Sequence, residues 1–352
     1  MGKSLLICRE CQTVFQENRE IYCCTCGGIL LKKTPENRQE HDRIHPSNYT
    51  RCNLQGAPSK QKNHMEWGNW SSEEGVTPLD KLDSDNEHIY LKLEYKSPFK
   101  SYLGRGSALL VKKLKQQKIT KIGLTAANYL NLSIARHAKL ACIPCELYLP
   151  EDSSSFLINE FKNEGVCIHH SVHEQEALVN KHMFIATDNH PYLTEGAKTF
   201  ANELWKQLGK SEPDIVVFSL ESSLLILGAY YGFQELMEHN LIEKLPKFII
   251  VDTIPSLNSR GVSISTSIEK EVKKIVKQTE GLVQTIPMSA VIQAEKALLI
   301  RGHQVDQQSA AAYAGCMRYY RDHSIKDETI VIPLSDMTDA IKDTEDKRGD
   351  GW

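Results

Sequence analysis

Two cysteine pairs open the chain, Cys8-x2-Cys11 and Cys23-x2-Cys26, eleven residues apart, with Gly27-Gly28 behind the second. Thiolates in two such knuckles surround one ion tetrahedrally, and the glycines let turn amides point at sulfur. The pattern predicts a structural Zn²⁺ on Cys8, Cys11, Cys23 and Cys26, with no coordination position left open for catalysis. Cys24 stands between two of these ligands as a spare thiol that can also replace Cys23. A further pair, Cys142-x2-Cys145, leads into an apolar run and reads as core packing. His41, His45 and Cys52 lack metal-ligand spacing. His137, His169, His170 and His303 have no spacing that names a serine or acid partner, so no triad is read.

The elements that must position such groups need room, and 352 residues suffice for two domains and a small extra module. A formal charge of −3 argues against a phosphate-neutralising surface, so nucleic acid is not an expected partner. No apolar run reaches the roughly 18 residues of a membrane span. The opening MGKSLLICRECQ lacks the apolar core of a secretory signal. Ten cysteines, several in metal-like pairs, suit a reducing compartment, so we expect a cytoplasmic protein without membrane partners.

Residues 34–72 are polar and interrupted by Pro46 and Pro58, an arm with Trp67 and Trp70 as anchors. Beyond it, short strands alternate with helical patterns. We expect strands at 88–93, 122–124, 145–149, 213–218, 248–251 and 328–333. Ala108, Leu109, Val111 and Leu114 form one helical stripe, 130–140 a second helix, and a third opens at 189–199 and continues to Leu208. This alternation predicts α/β layers on mostly parallel sheets.

Several stretches resemble one enzyme superfamily. The run Leu91–Gly106, LKLEYKSPFKSYLGRG, resembles a strand-loop-helix segment ending N-P-T-G-S-F/Y-K-D-R-G. Gly75-Val-Thr-Pro-Leu79 resembles G-x-T-P-L, residues 189–199 resemble N-P-Y-x-x-E-G-x-K-T, and Ser309–Gly315 follow S-A-A-A-x-A-G. These belong to pyridoxal-phosphate (PLP) enzymes of the tryptophan synthase β / threonine synthase superfamily, fold type II. The resemblance implies two three-layer αβα domains behind the zinc ribbon. It divides the chain into a ribbon at 1–33, an arm at 34–72, a large domain at 73–104 with 191–336, a small domain at 105–190 and an acidic tail at 337–352. It also implies a homodimer acting in or near amino-acid metabolism.

The cofactor motifs themselves depart from the family. With Ser97-Pro98 on Asn-Pro and Arg105-Gly106 on Arg-Gly, the cofactor lysine falls on Leu103, which has no amine to join an aldehyde. Lys100 fits that role only with two compensating gaps, and reads otherwise as a solvated loop lysine. The T-A-S-S-G-N loop becomes Thr125-Ala126-Ala127-Asn128-Tyr129-Leu130, and the Gly-rich phosphate loop becomes Glu221-Ser222-Ser223-Leu224-Leu225. Ser335 stays at the position of the ring-nitrogen partner.

We therefore expect no PLP. The first reading is a ligand-binding or regulatory homologue whose cleft, lined by Thr125, Ala126, Asn128, Glu221, Ser222, Ser223 and Ser335, takes an amino acid or its phosphorylated derivative. A second is a PLP-independent enzyme using Glu221 as base and Arg105 as carboxylate clamp. A third keeps PLP on Lys100 with β- or γ-replacement or elimination chemistry.

Overall fold

A computed structural model of the 352-residue chain describes residues 5–17, 24–32, 76–82, 88–98, 100–150, 157–170, 183–254, 266–323 and 327–335. The expected arm at 34–72, with His41, His45, Cys52, Trp67 and Trp70, and the tail at 337–352 lie outside the described residues.

In chain order the first strands are β1 (Leu5–Cys8), β2 (Val14–Gln16), β3 (Leu30–Lys32), β4 (Leu79–Lys81) and β5 (Ile89–Leu93). Then come α1 (Leu103–Gln116), β6 (Ile122–Leu124), α2 (Tyr129–Leu140), β7 (Cys145–Leu149), α3 (Leu157–Asn163), β8 (Cys167–His170) and β9 (Phe184–Ile185). After these follow α4 (Pro191–Ala197), α5 (Thr199–Gln207), β10 (Ile215–Ser219), α6 (Ser223–Glu238) and β11 (Lys247–Ile254). The last are α7 (Thr266–Gln278), β12 (Leu282–Pro287), α8 (Met288–Ile300), α9 (Gln307–Asp322) and β13 (Ile330–Leu334).

The chain groups into two compact units, Met1–Gly75 with Leu103–Gly196, and Val76–Tyr102 with Ala197–Trp352. In the first, β2-β1-β3 form a small antiparallel sheet under the cysteines. Its second sheet is parallel, ordered β8-β7-β6-β9. Strands β6 and β7 are nearly continuous apolar runs because parallel strands are covered on both faces. Helix α1 buries Leu109, Leu110, Val111 and Leu114. It stops where Lys118 takes a left-handed φ of 59° and Ile119 N–H returns to the Leu114 carbonyl at 3.0 Å. Gly106 lies so close to α4 that a Cβ there would stand 2.6 Å from the Leu193 carbonyl oxygen, which explains a glycine at that position.

The second unit holds six strands ordered β12-β11-β10-β13-β5-β4, parallel except for β4 against β5. Its core runs from Leu91 and Leu93 through Val217, Ile249 and Val251 to Ile330, Ile332 and Leu334, closed by Val291, Ala294 and Leu298 of α8 and the alanines of α9.

The third helix differs from expectation. It is two helices, α4 and α5, separated by a turn at Lys198. The buried Lys198 side chain is committed there to Glu235 of α6, Nζ to Oε1 2.7 Å.

Candidate functional site

In the ribbon, the sulfurs of Cys8, Cys11, Cys24 and Cys26 all lie within 4.8 Å of one another. Two pairs, Cys8 with Cys26 and Cys11 with Cys24, are 3.5 Å apart. A tetrahedron with zinc–sulfur arms of about 2.3 Å has edges of about 3.8 Å, so this arrangement can hold such an ion. Burial pushes the Cys8 thiol up to about 12, while the Thr13 hydroxyl and backbone bring Cys11 down to about 6. Gly28 N–H donates to Cys26 Sγ at 3.4 Å, the amide-to-sulfur contact expected of the Gly27-Gly28 turn. Cys24, read as a spare thiol that can also replace Cys23, is one of the four gathered among the described residues; Cys23 lies outside them. The Cys142-x2-Cys145 pair divides: Cys145 is buried at the start of β7, its thiol pushed up to about 12 by burial, and Cys142 is exposed.

Of the remaining site residues, Leu103, Arg105, Thr125, Ala126 and Asn128 fall in the first unit, and Lys100, Glu221, Ser222, Ser223 and Ser335 in the second. In the first unit, Leu103 is the opening residue of α1 and is buried. The loop after β6 folds onto itself. Asn128 caps α2, its Oδ1 accepting from Asn131 N–H at 2.8 Å, and Asn131 Nδ2 donates to the Ala126 carbonyl at 2.9 Å. Thr125 is exposed beside them.

In the second unit, the loop after β5 is laced by Ser97, whose hydroxyl donates to the Ser101 carbonyl at 2.9 Å and accepts from Ser101 N–H at 3.1 Å. Lys100 sits in this brace with a left-handed φ of 56°. Tyr102 N–H reaches the Ser335 carbonyl at 3.2 Å. After β10, Leu220–Ser222 make a single 3-10 turn running straight into α6. Ser222 is buried there and donates to Ser335 Oγ at 3.3 Å. Ser309 completes a cluster of three: its hydroxyl lies 3.3 Å from Ser335 Oγ and accepts from Ser335 N–H at 2.8 Å.

In the sequence, Ser309 stands out only as the first residue of the S-A-A-A-x-A-G resemblance. Its one signal was a hydroxyl opening an otherwise apolar alanine run. Also missed was a buried polar network. Lys92 of β5, wholly buried, pairs with Glu203 of α5 and donates to the Thr77 carbonyl. Thr77 N–H donates to Glu203 Oε1 at 2.9 Å, and its hydroxyl to Glu94 at 2.8 Å. A lysine inside the apolar strand β5 and a glutamate just past its end, Lys92 and Glu94, were its trace in the sequence.

The sequence profile of the pyridoxal-phosphate dependent enzyme family matches residues 71–336. The chain belongs to this family, and its α/β architecture is that of the fold-type-II group. Threonine synthase of Methanocaldococcus jannaschii is 22% identical over 391 aligned positions, covering 96% of this chain and 95% of that protein. Cysteine synthase from Entamoeba histolytica superposes with a TM-score of 0.62 at 18% identity, covering 83% of this chain and 93% of the other. A fungal L-serine ammonia-lyase from Rhizomucor miehei gives 0.61 at 17%, covering 79% and 98%.

Family members of this kind hold PLP, and its requirements can be set against the residues present. Leu103, which the family resemblance aligns with the cofactor lysine, carries no amine. The turn that should offer converging amides carries the side chains of Glu221, Ser222 and Ser223, where the phosphate nest needs glycine. Ser335 turns its hydroxyl to Ser222 and Ser309. Neither an amine to join an aldehyde nor a glycine backbone to cradle a phosphate is offered by Leu103, Glu221, Ser222 and Ser223.

Proposed function

We propose that this chain is a threonine synthase-like family member that works without PLP, as a ligand-binding or regulatory protein in or beside amino-acid metabolism. The observation that carries this reading is Leu103, a buried hydrocarbon opening α1 at the position of the cofactor lysine. It is supported by the three-hydroxyl cluster of Ser222, Ser309 and Ser335, whose hydrogen bonds are made within the protein. The expected ligand is a small amino acid or a phosphorylated derivative, met in the first unit by the capped loop Thr125–Asn128. Four gathered thiols hold a structural Zn²⁺. A cytoplasmic location is the reading that the metal-like cysteine pairs support.

The family itself favours a second reading, PLP on Lys100 in the Ser97-braced loop. One experiment separates the two. Under the first, the purified protein is colourless, added PLP leaves its visible spectrum unchanged, and its melting temperature rises with the right amino acid. Visible absorbance that borohydride bleaches, leaving a phosphopyridoxyl group covalently on Lys100, establishes the second and refutes the first.

A further inference from the structure

We propose that Glu146, Cys167 and His169 form a second metal site, for a transition-metal dication such as Zn²⁺, on one face of the parallel sheet of the first unit. Strand β7 lies parallel to β8, with Glu146 beside Cys167 and Tyr148 beside His169. Alternate residues of a strand share a face, and so do residues side by side in a ladder. The carboxylate, the thiol and the imidazole therefore stand on the same side of the sheet, each next to the other two. Glu146 Oε2 and His169 Nε2 are 3.6 Å apart. Oxygen and nitrogen arms of about 2.0–2.1 Å at a tetrahedral ion set their ends about 3.3 Å apart, so a small closing movement suffices. Among the described residues only the ribbon thiols are gathered in advance; here the sulfur of Cys167 must turn in. Cys167 is exposed and directly beside Glu146, so rotation about its Cα–Cβ bond brings the thiol over.

The donor set selects the ion. One carboxylate, one imidazole and one thiolate suit Zn²⁺ or Co²⁺, whereas Ca²⁺ and Mg²⁺ take oxygen ligands. Three protein ligands leave a fourth position to water. Tyr148 is wholly buried, donates its hydroxyl to Glu146 and stacks on the His169 ring, centroids 4.6 Å apart and planes at 13°. It thus orients two of the three ligands. Lys121 opposes the metal: its Nζ lies 2.6 Å from Glu146 Oε1, and its side chain, 41% exposed, can leave for solvent. That competition keeps the affinity moderate, roughly micromolar, so this ion fills after the ribbon's. None of these residues belongs to the cofactor motifs, so the site stands whether or not PLP binds.

Zinc bound per full-length chain, measured by equilibrium dialysis against buffered free Zn²⁺ up to about 100 µM, tests this. Wild type should take up one ion that Cys167→Ala and His169→Gln each weaken at least about tenfold. Reading the difference between chains leaves the ribbon's own ion out of the count. Lys121→Met should tighten the added ion about tenfold, because the competing charge is gone. His170→Gln, on the opposite face of β8, should change nothing. Melting curves matching wild type, expected at positions open to solvent, keep folding out of the readout. Equal zinc content in wild type and both ligand variants overturns the proposal. So does a loss that His170→Gln reproduces, or a Lys121→Met chain that binds no tighter.

Discussion

The Ser222 hydroxyl donates to Ser335 Oγ at 3.3 Å, joining the first turn after β10 to the end of β13 inside the core of the second unit. The family resemblance aligns these positions with the phosphate loop and the ring-nitrogen partner, and here the two hydroxyls serve each other. Restoring the amine alone should therefore not restore the site. Leu103→Lys is expected to bind PLP weakly, with little visible colour at equimolar cofactor. Adding Glu221→Gly and Ser222→Gly removes a carboxylate from the phosphate position and frees backbone amides. Removing one unit charge a few ångströms away is worth on the order of 4 kcal/mol at intermediate dielectric. The triple variant should then tighten PLP by at least tenfold over Leu103→Lys, read by titrating the visible absorbance. Equal colour in the single and triple variants would contradict this account of the loop.

Lys92 and Glu203 form the most deeply placed ion pair among the described residues of the second unit, with Lys92 wholly buried and the Glu203 side chain 11% exposed. Removing one partner leaves an uncompensated buried charge, which costs about 3–5 kcal/mol. Glu203→Ala is expected to lower the unfolding free energy by that amount in urea melts. The apolar double variant Lys92→Met/Glu203→Leu should lose clearly less, because neither charge is then stranded. A Glu203→Ala loss below about 1 kcal/mol would mean that the pair is effectively solvated.

Much of the fold could be read where local pattern and tertiary role coincide. Strands β6 and β7 fall at 122–124 and 145–149 as expected, because each is a short apolar run closed by turn residues. The break between α4 and α5 could not be read, since it rests on Lys198 meeting Glu235, 37 residues away in sequence. The burial of Lys92 was hidden for the same reason: Glu203 lies 111 residues on, and no local rule announces a satisfied charge inside a strand. At the position that the resemblance gives to the cofactor lysine, the sequence was informative through residue type. A leucine is recognisable as lacking an amine, but that Ser335 would turn to Ser309 is a matter of packing between β13 and α9.

Two histidines of the first unit make its stability depend on pH. Burial lowers His137 from 6.5 to about 4, and likewise His190. His190 Nδ1 also accepts the Tyr192 N–H at 3.2 Å, a bond that a proton on that nitrogen would abolish. Below pH 6.5 the unfolded chain takes up protons that the folded chain refuses, so the unfolded state binds more protons and is favoured. Stability is thus full above about 6.5, falls as pH drops toward 4, and stops falling from this cause once the folded histidines are protonated. Each histidine accounts for a loss of about 3 kcal/mol across that window. Unfolding free energies measured against pH should show this slope, and His137→Gln should remove its share whatever the variant's absolute stability. An unchanged slope in the variant would mean that His137 titrates normally.

The ribbon separates two neighbouring cysteines that spacing alone leaves interchangeable. Cys24 Sγ stands 3.5 Å from Cys11 Sγ, within the group that includes Cys8 and Cys26. Cobalt added to the metal-free protein should give tetrahedral thiolate bands at one ion per chain, and zinc should displace it. Cys24→Ser is expected to lose this spectrum or reduce metal affinity by at least a hundredfold, because a hydroxyl is a poor ligand for either ion. Cys23→Ser should leave both spectrum and stoichiometry as in wild type. The reverse result, loss with Cys23→Ser and retention with Cys24→Ser, would return the site to the Cys23-x2-Cys26 spacing and make Cys24 the spare thiol.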